Sequence, residues 1–132
     1  MLSLLDRVLH NEGFKPKPYK DTAGVLTIGH GLTYLTRDES RALVASRLLN
    51  LEMRLLKAKP WLYHYPLVVR EILVEMNFQL GVRGTNAFKK MFAALRKRDF
   101  KTAAAEMRDS KWYRQTPNRA ERMAKRMEKV NG

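Results

Sequence analysis

The 132-residue chain contains no cysteine, which excludes a disulfide framework and any thiolate metal site. Glycine and proline, at 7 and 5 residues, are too few for a disordered chain. The first eleven residues, MLSLLDRVLHN, hold no apolar run long enough for a signal sequence or a membrane span. We therefore expect a protein that is made in the cytoplasm and stabilised by its hydrophobic core. Hydrophobic residues make up 45% of the chain, which is enough to form such a core.

Acidic side chains are also scarce, with 13 Asp plus Glu against 26 Lys plus Arg and a formal net charge of +13. Such a charge attracts polyanions, which suggests two functions that involve no catalysis. One is a basic DNA-binding module, with a helix pair joined near Gly81 or Gly84. The other is a cationic membrane-disrupting protein that uses residues 117–129 as an interfacial helix.

The order of sequence patterns predicts an α+β fold that is predominantly α-helical. Ser3 and Gly13 bound a short first helix, and residues 25–28 and 31–34 resemble two strands of a hairpin. A T-x-x-E capping box at Thr36 opens a helix of about twenty residues, and the remainder reads as helical. We predict a single domain, 1–132, in which the long helix joins two lobes. A small hairpin lobe with this linking helix covers about 12–60, and a larger helical lobe covers 1–11 and 61–132.

Two of the few carboxylates, Glu12 and Asp21, stand nine residues apart in different local environments. Glu12 ends the predicted first helix, where the negative end of the helix dipole favours a protonated acid. Asp21 follows Lys20 in a polar turn, where a cation and local hydrogen bonds favour an ionised carboxylate. Glycoside hydrolysis requires such an unlike pair, and the Thr27 hydroxyl is suited to hold a water molecule between them.

Several segments of the chain resemble the phage T-even-type lysozymes, glycoside hydrolase family 24. The catalytic signature of that family is similar to residues 12–13, 19–22 and 27–29 of this chain. The run SKWYRQTPNRA at 110–120 resembles the segment before the final helices of those enzymes, and residues 76–81 resemble the end of their central helix. The resemblance implies a lysozyme-like fold with a peptidoglycan cleft between a hairpin lobe and a helical lobe.

The resemblance also implies an endolysin that hydrolyses the β-1,4 bond between N-acetylmuramic acid and N-acetylglucosamine. By position, Glu12 matches the general acid, Asp21 the second carboxylate and Thr27 the residue that positions the attacking water. The family inverts the anomeric centre, so we expect the two carboxyl groups about 6.5–9.5 Å apart. Thr33, Phe78 and Gln79 fall at or beside substrate-contacting positions.

The partners expected from this resemblance are bacterial peptidoglycan and, through the positive charge, anionic wall polymers or membranes, with no specific nucleic acid. We expect a monomer that acts on the cell wall after release from the host cytoplasm. No His or Cys cluster has the spacing of a metal site, so we predict neither a metal nor another cofactor.

Overall fold

A computed structural model of the protein describes residues 3–131, so residues 1, 2 and 132 of the predicted domain lie outside the described residues. Within the described range the chain forms a two-stranded antiparallel sheet and seven α-helices, which confirms the predominantly helical α+β fold. A 3₁₀ helix, Pro60–His64, precedes α3. The other elements, in chain order, are α1 (Leu4–Glu12), β1 (Lys15–Lys20), β2 (Leu26–Gly29), α2 (Arg37–Ala58), α3 (Leu67–Asn86), α4 (Lys89–Arg96), α5 (Phe100–Arg108), α6 (Lys111–Gln115) and α7 (Pro117–Glu128).

The chain divides into two compact units, the first ending at Val44 and the second beginning at Ala45. The division falls inside α2, the longest helix of the described chain. The first unit contains α1 and the hairpin, and the second contains the 3₁₀ helix and α3 to α7. The finer lobe boundaries, with 1–11 assigned to the helical lobe, stay a prediction.

The hairpin pairs different strands from those predicted. β2 pairs with the preceding β1, and residues 31–34 contribute only an isolated bridge between Ile28 and Leu32. β1 contains Pro16 and Pro18, and proline has no N–H to donate to a neighbouring strand. A two-stranded sheet has two open edges where proline is tolerated, and the pairing register shifts between Lys15 and Tyr19, on either side of both prolines.

Two of the predicted helix signals, at Thr36 and Gly81, act as expected. Thr36 and Glu39 form the capping box of α2: the Thr36 N–H donates to Glu39 at 2.9 Å and the Glu39 N–H donates to the Thr36 hydroxyl at 3.2 Å. Gly81, with φ of +78°, interrupts α3 after Leu80. Only glycine adopts this left-handed backbone without steric cost, so the straight part of α3 ends there.

The core of the second unit is built from aliphatic, methionine and alanine side chains. α5 packs against both α4 and α7. Ala103 and Ala104 of α5 and Ala120 and Ala124 of α7 are all fully buried. Small side chains let the helices approach closely, and flexible methionines such as Met107 fill the remaining space.

An ion-pair cluster also joins α5 to α7. The Arg108 guanidinium donates to Glu121 at 2.7 Å and to Glu128 at 3.2 Å. These hydrogen bonds hold the pKa of both carboxyl groups below its ordinary value. The Tyr113 hydroxyl donates to Glu121 as well, at 3.2 Å, and its pKa is raised by desolvation and by that carboxylate. The cluster therefore stabilises α7 on α5 with charges that depend on pH.

Candidate active site

Glu12 is the last residue of the first helix. The helix begins with a capping box, in which the Asp6 N–H donates to the Ser3 hydroxyl at 3.1 Å. It ends at Gly13, whose φ of +67° breaks the helical path and whose N–H donates to the Leu9 carbonyl at 3.0 Å. These two local signals fix where the helix stops, and so they fix the residue that projects from its end.

The Glu12 carboxyl group lies against Gly31, in the loop that follows β2. A β-carbon added to Gly31 would fall 2.6 Å from the Glu12 carboxyl carbon, Cδ, which is far inside van der Waals contact. Gly31 also has φ of +73°, so this position favours glycine for a second reason. The missing side chain therefore provides the space that the carboxyl group occupies.

Asp21 follows β1 directly and organises the hairpin turn. Its Oδ1 accepts hydrogen bonds from the N–H groups of Ala23, at 2.9 Å, and Val25, at 2.8 Å. The Asp21 backbone N–H donates to the Val25 carbonyl at 2.9 Å, which closes the turn. Within residues 3–131 the second carboxylate oxygen, Oδ2, receives no hydrogen bond, and it is the oxygen left to face a ligand.

Thr27 lies on β2 opposite Tyr19, and it is buried although its strand neighbours Leu26 and Ile28 are exposed. Its hydroxyl donates to the Val25 carbonyl at 3.0 Å. A carbonyl oxygen can only accept, so the direction of this hydrogen bond is fixed. The Thr27 oxygen therefore has lone pairs left with which to accept a hydrogen from water.

The first unit thus contains all three predicted catalytic residues. Asp21 and Thr27 share the Val25 backbone as a hydrogen-bonding partner, since Asp21 accepts from its N–H and Thr27 donates to its carbonyl. The Glu12 carboxyl group contacts Gly31, which lies in the loop after β2, four residues beyond Thr27. Nothing in the sequence marked Gly31 as a site residue, because glycine has no functional group and its spacing indicated only a turn.

Thr33, predicted to contact substrate, is an exposed residue of the loop after β2. The other two predicted contacts, Phe78 and Gln79, lie on α3 in the second unit. Phe78 is 39% exposed, whereas the Gln79 side chain is engaged by other protein groups. Its Oε1 accepts from the Trp112 indole at 3.0 Å, and its amide nitrogen lies 3.5 Å from the Thr116 hydroxyl.

No three His, Asp or Glu side chains among residues 3–131 are grouped so that they could hold a metal ion. In the same range, no helix combines the length and the apolar character needed to cross a bilayer.

Comparison with known proteins identifies the family. Residues 9–129 match the phage lysozyme family. Over an alignment of 155 positions the chain is 28% identical to a probable T4-type lysozyme 1 of Dictyostelium discoideum, covering 92% of this chain and 91% of that protein. It is also 44% identical over 55 residues to peptidoglycan hydrolase gp36 of Pseudomonas phage phiKMV, an alignment that covers 42% of this chain and 6% of that protein. The chain therefore belongs to the phage lysozyme family, and it is a glycoside hydrolase of the endolysin type.

Proposed function

We propose that this chain hydrolyses the β-1,4 bond between N-acetylmuramic acid and N-acetylglucosamine in bacterial peptidoglycan, with Glu12, Asp21 and Thr27 as the catalytic residues. Membership of the phage lysozyme family supports the reaction class, and one of the relatives is a phage peptidoglycan hydrolase. The observation that carries the assignment is local: one hairpin unit holds two carboxylates in different surroundings beside a buried hydroxyl.

Glu12 acts as the general acid. Its protonated carboxyl group donates a proton to the glycosidic oxygen as the bond to the anomeric carbon breaks, so the leaving sugar departs as an alcohol. Gly31 supports this role because it has no β-carbon, so the Glu12 carboxyl group can occupy a defined position beside it. A positioned acid of this kind typically contributes a rate factor of about 10² to 10⁴.

Asp21 and Thr27 act on the water molecule. Asp21 takes the proton from water through its second oxygen, while its first oxygen remains bound to the turn. Thr27 accepts the other hydrogen of the same water, since its own proton is committed to the Val25 carbonyl. The water oxygen then attacks the anomeric carbon from the face opposite the leaving group, which inverts the configuration. Solvent returns the proton from Asp21 to Glu12.

We place Thr33, Phe78 and Gln79 in contact with the glycan. The enzyme acts as a monomer, reaches the wall after release from the host cytoplasm, and uses its net charge of +13 to approach anionic wall polymers or membranes, with no specific nucleic acid as a partner. The family assignment favours this function over a DNA-binding or a membrane-disrupting protein.

The test is the release of reducing ends from purified peptidoglycan by wild type and by Glu12→Gln. Glutamine has nearly the same shape and cannot donate a carboxylic proton, so we expect the variant to fold and to lose hydrolysis. Glu71→Gln, which removes an exposed carboxylate from α3, is the matched control and should keep wild-type activity. Wild-type turnover by Glu12→Gln would remove Glu12 from the acid role.

A further inference from the structure

Gly29, His30 and Gly31 form a tight loop where β2 ends. The loop is closed by Ile28 and Leu32, whose backbones exchange two hydrogen bonds of 2.8 and 2.9 Å. Both glycines have positive φ, +68° and +73°, a conformation that residues with a side chain rarely adopt. His30 is therefore the one residue of the loop that can contact another segment through a side chain.

The His30 ring contacts Phe14, the residue directly before β1. The two ring centroids are 5.1 Å apart and the ring planes are inclined by 39°. This separation is within the range of about 4.5–7 Å that stabilises aromatic pairs. Phe14 is 61% exposed, so packing in a core does not fix its position. The ring contact therefore joins the loop after β2 to the segment that leads from α1 into β1.

The pairing register of the hairpin brings the two rings together. They extend the hairpin by one step beyond its last pair, Lys15 with Gly29. Side chains that stand opposite each other in an antiparallel pair share one face of the sheet, with their β-carbons about 4.5–5.5 Å apart. The register shifts between Lys15 and Tyr19, and without this shift Phe14 would stand opposite Leu32. The irregular part of β1 therefore determines which residue Phe14 contacts.

The same two segments carry Glu12 and Gly31. Phe14 follows Glu12 by two residues, and His30 directly precedes Gly31. A β-carbon added to Gly31 would fall 2.6 Å from Cδ and 3.1 Å from Cγ of Glu12, so the acid and the glycine form a second contact beside the ring contact. Because the ring contact joins both segments, it limits how far Gly31 can move away from the carboxyl group.

We infer that Phe14 and His30 are positioning residues, which hold the Glu12 carboxyl group against Gly31 through the contact of their rings. The inference rests on the proposed function, since it assumes that Glu12 is the general acid. His30 acts here through its planar ring and not as a proton carrier. Neither residue has to touch the sugar, because both act through the position of Glu12.

The experiment removes each ring and replaces it with another ring, using soluble peptidoglycan fragments as substrate. Phe14→Ala and His30→Ala should each lower kcat by about threefold to tenfold with KM unchanged, because an aromatic pair favours one arrangement over its alternatives by about that factor. The double variant should be no slower than the slower single variant, because the two rings form one contact. Phe14→Tyr and His30→Phe keep a ring at each position and should retain the wild-type kcat.

Tyr63→Ala is the matched control. It removes a ring that is 64% exposed and that contacts a histidine, His64, with the ring centroids 5.9 Å apart, in the second unit. This variant should keep the wild-type kcat. Unchanged kcat in both Phe14→Ala and His30→Ala, an equal loss in Tyr63→Ala, or a loss of kcat in His30→Phe would overturn the inference.

NMR spectroscopy separates this result from the catalytic assignment. Nuclear Overhauser effects between the γ protons of Glu12 and the α protons of Gly31 report their contact without any turnover. We expect these effects in wild type and weaker ones in Phe14→Ala. If they are unchanged in Phe14→Ala, the inference fails even where Glu12→Gln is inactive. If Glu12→Gln keeps wild-type turnover, the proposed function fails, whatever the NMR measurement shows for Phe14→Ala.

Discussion

The Glu12 carboxyl group occupies the space beside Gly31 in which any other amino acid would place its β-carbon. The acid and the glycine are 19 residues apart, on opposite sides of the hairpin. The position of the proposed catalytic side chain is therefore constrained by the absence of a β-carbon at Gly31.

Gly31→Ala should displace the Glu12 carboxyl group and lower kcat. A misplacement of about 1 Å in an active site can cost a factor of about 100, so we expect a loss of tenfold to a hundredfold. The backbone strain at positive φ will also cost about 1–2 kcal/mol of stability. Turnover and unfolding measured on the same preparations separate the two effects.

Gly29→Ala is the matched control for that variant. Gly29 has φ of +68°, so alanine is strained there as well, but the added β-carbon would meet only Leu32, at 3.8 Å. This variant should lose stability and keep most of its kcat. Equal losses of kcat in the two variants would mean that strain, and not contact with Glu12, affects the reaction.

The proposed role of Asp21 assigns one carboxylate oxygen to the turn and the other to the water molecule. Asp21→Asn keeps a carbonyl oxygen for the Ala23 and Val25 N–H groups, so it should fold with little loss of stability while hydrolysis falls by a factor of about 10² or more. Asp21→Ala should lose the activity and, in addition, about 1–3 kcal/mol of stability. Denaturant unfolding with parallel assays checks this. An active Asn variant would make Asp21 a turn residue only.

Thr27 can be tested by keeping or removing its hydroxyl. Thr27→Ser keeps the oxygen that donates to the Val25 carbonyl and should retain most of the rate. Thr27→Val has nearly the same shape without the hydroxyl, so we expect a rate loss of about tenfold or more and about 1 kcal/mol less stability. If the activity of the Val variant falls only in proportion to its folded fraction, Thr27 supports the fold and does not hold the water.

The cluster around Arg108 predicts a dependence of stability on pH. Because Arg108 lowers the pKa of Glu121 and Glu128 in the folded chain, their contribution is complete above the ordinary value of 4.5 and is lost as the pH falls through the lower folded values. Arg108→Gln should therefore be less stable than wild type at pH 7, and the difference should shrink at pH 3. Denaturant unfolding at both values tests this, with Arg122→Gln as a control whose difference from wild type should not vary with pH.

Much of the helical structure was predictable because its signals are local. The caps at Ser3 and Thr36 each involve a side chain and a backbone group three residues away, and each forms as the sequence indicates. Asp21 likewise makes the turn that its position suggested. Such contacts depend on a few neighbouring residues, and the composition of a short window is enough to predict them.

The pairing of β1 with β2 and the contact of Glu12 with Gly31 depend on residues far apart in sequence. The predicted pairing of residues 25–28 with 31–34 was wrong, because β2 pairs with β1, whose prolines are tolerated in a sheet of only two strands. The separation of these residues in the chain gave no local pattern to detect.

The prolines of β1 also affect how the molecule meets other copies of itself. An exposed strand edge normally presents a row of N–H and C=O groups on which another chain can add a strand, the first step of aggregation. Pro16 and Pro18 remove two of those donors, and Lys15, Lys17 and Lys20 on the same strand repel a similarly charged neighbour. The ribbon that carries Thr27 and the Asp21 turn is thereby protected from growing into a larger intermolecular sheet when the protein accumulates to high concentration.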